Sequence, residues 1–187
     1  MRNAEIAAVE ERGGNYIGVE PATGRAIPAV VDNIKVEKNN RVRFVIRLDL
    51  RIADLPIIQR LTLYHELKRP DIENTVDWKP GRLFRVEQLF PIAQNKPDFE
   101  YGVPFGANSA ANTLPNAATH QSDEISMEDW RRSRHIQNWL RSDENGWGVT
   151  LAADHQQIRL DGATVALLCL RRVLHVRRSS RWWLAAR

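Results

Sequence analysis

Three carboxylates in this chain form a candidate group for acid–base chemistry. Asp71, Glu73 and Asp77 stand at i, i+2 and i+6, so on an extended segment they share one face. Two carboxyls about 5–9.5 Å apart are what a glycosidase needs. A solvated sheet face carries the same charges, and the surrounding pattern favours that reading. Asp154-His155 offers a base beside a carboxylate, or two residues capping a strand end. The five histidines, His65, His120, His135, His155 and His175, contain no i, i+4 pair and no HExxH. Trp78, Trp130, Trp139 and Trp147 have the apolar faces that stack on sugars. At strand alternation such rings belong to the core, and Trp78 is expected there. Cys169, the single cysteine, excludes an internal disulfide framework and a thiolate zinc cluster. Inside an apolar run it reads as an inert buried thiol. No Walker loop, GxGxxG or GxSxG occurs. No residue of this chain is therefore expected to be catalytic, cofactor-binding or metal-binding.

Period two dominates the elements that must position these groups. Val42, Phe44, Ile46, Leu48 and Leu50 alternate with Arg43, Val45, Arg47 and Asp49. Ala53-Asp54-Leu55-Pro56 predicts a turn, and Ile57 to Tyr64 a return strand. Asp71 to Trp78 and Leu83 to Phe90 read as a second hairpin around Lys79-Pro80-Gly81. Phe99 to Val103 predicts a short strand closed by Pro104, followed by a long loop over 104–125 and a short helical turn near 126–132. Residues 134–141 fit helix or strand, and the β-like surroundings favour strand. Asp143-Glu144-Asn145-Gly146 predicts a hairpin turn, then strands at Trp147–Ala153 and Gln156–Leu160. Asp161-Gly162 is a hairpin signal, and Thr164 to Leu170, apolar on both faces, a central strand. The first 40 residues suggest short strands around turns at Gly13-Gly14 and Thr23-Gly24. About ten strands at this spacing predict an all-β, antiparallel β-sandwich.

The chain has 187 residues, 43% of them hydrophobic, enough for one domain with a sizeable core. No apolar run is long enough to span a membrane. The N-terminus lacks a signal peptide's apolar core, and a reduced, cytoplasmic setting is expected. The net charge of +4 invites a nucleic-acid partner, but its distribution argues against one. Residues 171–187 hold six arginines and no acid, which leaves 21 basic against 23 acidic residues in the body. The basicity is that of an appended segment rather than of a folded face. The expected organisation is a single sandwich over 1–171, with a basic tail at 172–187 outside the fold.

The run from Ile57 to Gly106 carries more. It reads Ile58-Gln59-Arg60-Leu61-Thr62-Leu63-Tyr64, then Val76-Asp77-Trp78, then a strand ending in Phe90-Pro91, then Tyr101-Gly102-Val103-Pro104-Phe105-Gly106. In order and spacing this resembles the C-terminal β-sandwich region of glycosyl hydrolase family 38, the α-mannosidases. Gly102 stands where the family has Glu. Trp147 to Ala152 and Leu168 to Arg171 resemble later strands of the same region, so the resemblance covers roughly residues 15–171.

The resemblance implies a mutarotase-like sandwich without the family's catalytic domain. The nucleophilic Asp and the zinc-binding His and Asp residues of that domain have no counterpart here, and the basic tail replaces further strands. The chain thus reads as a fragment, with zinc expected only in the missing catalytic domain. Its implied partners are that domain and carbohydrate, and its implied role is to pack on the catalytic domain and help shape the sugar cleft. A stand-alone carbohydrate-binding or protein-interaction module is the alternative.

Overall fold

The computed structural model describes residues 5–10, 13–14, 19–20, 26–78, 84–111, 133–170 and 177–186. The predicted helical turn near 126–132, Trp130, His120, His175 and the Thr23-Gly24 turn lie outside them. Among the described residues every regular element is a strand and every pairing is antiparallel.

The strands are β1 (Glu5–Glu10), β2 (Gly13–Gly14), β3 (Val19–Glu20), β4 (Ala26–Pro28), β5 (Val30–Asn39), β6 (Arg43–Ile52), β7 (Leu55–Tyr64) and β8 (Pro70–Asp77). They continue as β9 (Phe84–Pro91), β10 (Phe99–Val103), β11 (Gly106–Ser109), β12 (Ser133–Glu144), β13 (Trp147–Asp161), β14 (Thr164–Leu170) and β15 (Arg177–Ala186). Thirteen strands form one hydrogen-bonded sheet whose main path runs β4-β1-β9-β14-β13-β15-β8-β7-β6-β5. β12 lies along the other edge of β13, and β10–β11 extends from it. The sheet folds over itself into a sandwich. One core joins Leu50, Ile57 and Val76 to Ile6 and Val86 of the facing layer, and the other gathers Phe90, Leu140, Leu151 and Leu167 around Ile72.

Alternation places the β6–β7 hairpin as predicted, with the turn at Ala53-Asp54 and Ala53 at φ 53°. Asn145-Gly146, both at positive φ, closes β12–β13, as such a pair does in a two-residue hairpin loop. β14 is central, between β9 and β13.

Within the expected loop over 104–125, Gly106–Ser109 is instead the strand β11, paired with β10. Four further expectations are corrected. β8 and β9 are strands but not a hairpin: β8 pairs with β7 and β15, β9 with β1 and β14. A turn signal brings strand ends together only when no better edge competes, and here each strand has two better edges. β5 is a ten-residue strand where short ones were expected. The two strands expected at 147–153 and 156–160 are one, β13. Between the pairs Ile136↔Gln156 and Asn138↔Ala153, Asp154 and His155 oppose Gln137 alone. That bulge marks where β13 changes partner, from β15 at 149–153 to β14 at 158–161, the way strands turn a corner between layers.

The last correction concerns the tail. Residues 177–186 are not outside the fold but form β15, paired over seven residues with β8 and five with β13. Backbone pairing needs two open edges, not an apolar period, so the basic composition did not announce it. Among the described residues, β15 is the strand through which β5–β8 reach the rest of the sheet.

Candidate functional site

The acidic row lies on one face of β8, while Ile72, Asn74 and Val76 alternate into the interior. The Tyr64 hydroxyl donates to Asp71 Oδ2 at 2.7 Å, and Arg69 Nε stands 2.9 Å from Asp71 Oδ1. Glu73 faces Arg60 across the β7–β8 ladder, and Asp77 is exposed. The neighbouring face of β5–β7 continues the pattern: Arg60 bonds Glu37 at 2.9 Å, Arg47 bonds Asp49 at 2.7 Å and Arg51 bonds Asp32 at 2.9 Å. These hydrogen bonds hold Asp32, Glu37 and Asp49 below the usual carboxylate range. Acids interleaved with guanidinium groups make an ionic outer face, which is the solvated-face reading.

The other candidates do not assemble with it. Trp78 is 3% exposed and meets the Phe84 ring edge-on at 5.6 Å, so it is a core residue. Trp147 is half-buried against the core, and Trp139 is half-buried with the Arg141 guanidinium 5.9 Å from its ring. Asp154 and His155 sit in the β13 bulge rather than at a strand end. His65 and His135 are exposed. Among the described residues no three His, Cys, Asp or Glu side chains come together to hold a metal ion.

Cys169 packs against both cores, and its Sγ donates weakly to the Leu167 carbonyl at 3.8 Å. Burial pushes the thiol up from 9.0 to about 12. A raised pKa means that the fold favours the protonated form. Its contribution is therefore complete below about pH 9 and is lost as pH rises toward 12, at up to ~1.4 kcal/mol per unit. Between pH ~8 and ~10.5 the wild type should lose about 2 kcal/mol more than Cys169→Ala. Urea titrations at the two pH values check this; equal losses would refute it.

Three features escaped sequence reasoning. Gln59, Asn74 and Gln88 form a buried amide cluster between the layers. Gln59 Nε2 donates to Asn74 Oδ1 at 2.8 Å and to Gln88 Oε1 at 2.9 Å, and Asn74 Nδ2 donates to Gln88 Oε1 at 3.1 Å. The only signal was Asn74 standing among apolar residues on its face. Glu87 is buried and accepts from Arg85 at 2.6 Å and from Arg159 at 3.0 Å.

The third is an uncovered apolar face. Val31, Ile34 and Val36 of β5 lie in register with Leu50, Leu48 and Ile46 of β6, on the face that becomes the core further along. Val31 is 52%, Ile34 64% and Val36 53% exposed. The covering layer stops short of them. At that margin lies a pocket of about 150 Å³ lined by Ile6, Pro28, Val31, Leu48 and Gln59, with Glu5 among its residues. None of the β8 carboxylates lines it.

The comparisons with known proteins agree with this architecture. The family described as the glycosyl hydrolases family 38 C-terminal domain matches residues 12–175. The chain belongs to that family. No curated protein sequence matches it. Among solved structures, an α-mannosidase from Enterococcus faecalis superposes with a TM-score of 0.75 at 13% identity, over 98% of this chain and 25% of that one. A family 38 glycosyl hydrolase from the same organism gives 0.71 at 14%, over 98% and 26%. A family 36 α-galactosidase, AgaB, from Geobacillus stearothermophilus gives 0.52 at 9%, over 100% and 30%. At these identities the likeness is one of fold. The chain spans about a quarter of the length of the two Enterococcus proteins.

A Cβ at Gly102 would meet the Gln137 carbonyl and lie 2.9 Å from Trp139 Nε1. Any side chain at that position would have to displace the Gln137 carbonyl or the Trp139 indole. The β10–β11 hairpin turns at Pro104-Phe105, with Phe105 exposed at φ 67°. No helix among the described residues is long and apolar enough to cross a membrane.

Proposed function

We propose that this chain is the non-catalytic C-terminal domain of an α-mannosidase-like glycoside hydrolase, packing on the catalytic domain and helping to shape its carbohydrate site. The family match over residues 12–175 carries the reading. The apolar face of β5–β7 supports it, because an uncovered sheet face calls for another layer. Ten residues at ~3.3 Å and two to three strands ~4.8 Å apart make roughly 400 Å². That is about half of what each partner of a free-standing complex buries, but it suits contact between domains of one enzyme. Retaining hydrolysis, through a carboxylate nucleophile with zinc holding the sugar, is the work of the catalytic domain. A single cysteine suits a reducing, cytoplasmic setting.

The test has two arms. The purified chain, with an aryl α-mannoside and with or without zinc, should show no turnover. Turnover lost in Asp71→Asn or Asp77→Asn would make the acidic row an active site. Co-expressed with a catalytic segment encoded beside it, the chain should co-purify, and Ile34→Glu should reduce recovery at least ~tenfold. Full recovery with Ile34→Glu would exclude that face.

A further inference from the structure

The acidic row is left without a catalytic role, and β15 lies beyond the family match. Together they point to a use for both. β8 and β13 present parallel-running edges separated by the width of one strand, and β15 fills the space. The slot is built wholly from residues inside the matched region, whereas its occupant, 177–186, lies outside it. Neither pairing is that of a hairpin. β15 pairs with residues 71–77 and 149–153, far away in sequence. Both partners of β15 are strands far from it in sequence, so the same edges can accept an identical strand from another molecule.

Register supplies the selectivity. Arg181 stands opposite Glu73, and Arg177 opposite Asp77. Asp71 stands opposite Trp183, and the neutral Thr75 opposite Ser179. Basic positions on the incoming strand thus coincide with acidic positions on β8, the arrangement that favours one register over its neighbours. Slipping by one residue would move both arginines off the acidic positions and onto the other face.

We infer that the β8–β13 slot is an acceptor site for a basic extended strand, and that the C-terminal strand of a second copy can occupy it to give a strand-exchanged dimer. Two charge-reversed chains test this. The slot variant is Glu73→Lys with Asp77→Lys; the strand variant is Arg177→Glu with Arg181→Glu. Within each molecule the slot and strand then carry like charge. In a mixed dimer the reversed slot receives the unreversed-slot molecule's acidic strand, and the acidic slot receives the basic strand, so both match.

Equimolar chains unfolded and refolded together should give a one-to-one heterodimer by native mass spectrometry. It should be at least ~tenfold more abundant than either homodimer. Two monomer masses and no heterodimer would overturn the proposal. A second measurement does not depend on the variants folding. A fluorescent peptide of residues 177–187, warmed with the wild-type chain to near its melting midpoint and cooled, should be retained. The peptide with Arg177→Glu and Arg181→Glu should be retained at least ~fivefold less. Equal retention of both peptides, or of neither, would also overturn it.

Discussion

A chain ending at Val176 should form no stable monomer. Without β15, seven residues of β8 and five of β13 become open edges, and β5–β8 lose their hydrogen-bonded path to the rest of the sheet. The core that gathers Leu151 of β13 with Ile72 of β8 would then be held by side-chain contacts without a backbone ladder. Open edges of this length are templates for association with other molecules. The expected result is aggregation, or an expanded species without cooperative unfolding, where the full chain unfolds in one transition. Size-exclusion chromatography with light scattering, followed by a urea titration, decides it. A monomeric truncated chain with an unchanged urea midpoint would return residues 177–187 to the role of an appended tail.

The second large effect is expected at Trp78. Its side chain is 3% exposed, between Phe84 and the core of β6–β8, and its ring crosses that of Phe84 at 83°. Trp78→Ala should lower unfolding stability by about 3–5 kcal/mol, from lost transfer energy and the cavity left behind. The edge-to-face contact adds up to ~1.5 kcal/mol that Trp78→Leu would also forfeit. Trp139→Ala serves as the comparison. Trp139 is half-buried beneath a guanidinium, and its loss should cost less than half as much. Denaturant titration of the three variants measures this. Equal losses at Trp78 and Trp139 would show that burial does not separate the two rings.

Much of the fold was legible. Alternation from Val42 to Tyr64 placed Leu50 and Ile57 on the inner face, although Val45 on the opposite face is buried as well and Val42 and Leu63 are exposed, and Asn145-Gly146 announced its turn because both residues accept positive φ. The ordered segments from Ile57 to Gly106 point to family 38 without tertiary information, and the match over residues 12–175 bears that out. Period two, however, reports which face of a strand is buried and is silent on which edges it pairs with. The same pattern in Asp71–Trp78 and Leu83–Phe90 suits a hairpin or two strands in different parts of the sheet. Competing edges far away in sequence chose the second.

Buried polarity was hidden for a related reason. Gln59, Gln88 and Glu87 look like surface residues until partners from distant strands arrive to satisfy them. The bulge at Asp154-His155 exists because β13 must serve two layers, and no local residue choice demands it. Composition alone placed residues 177–186 outside the domain, whereas the tertiary structure made them the strand between β8 and β13. A strand at the centre of a sheet is held first by its backbone, and every non-proline residue supplies the same N–H and C=O.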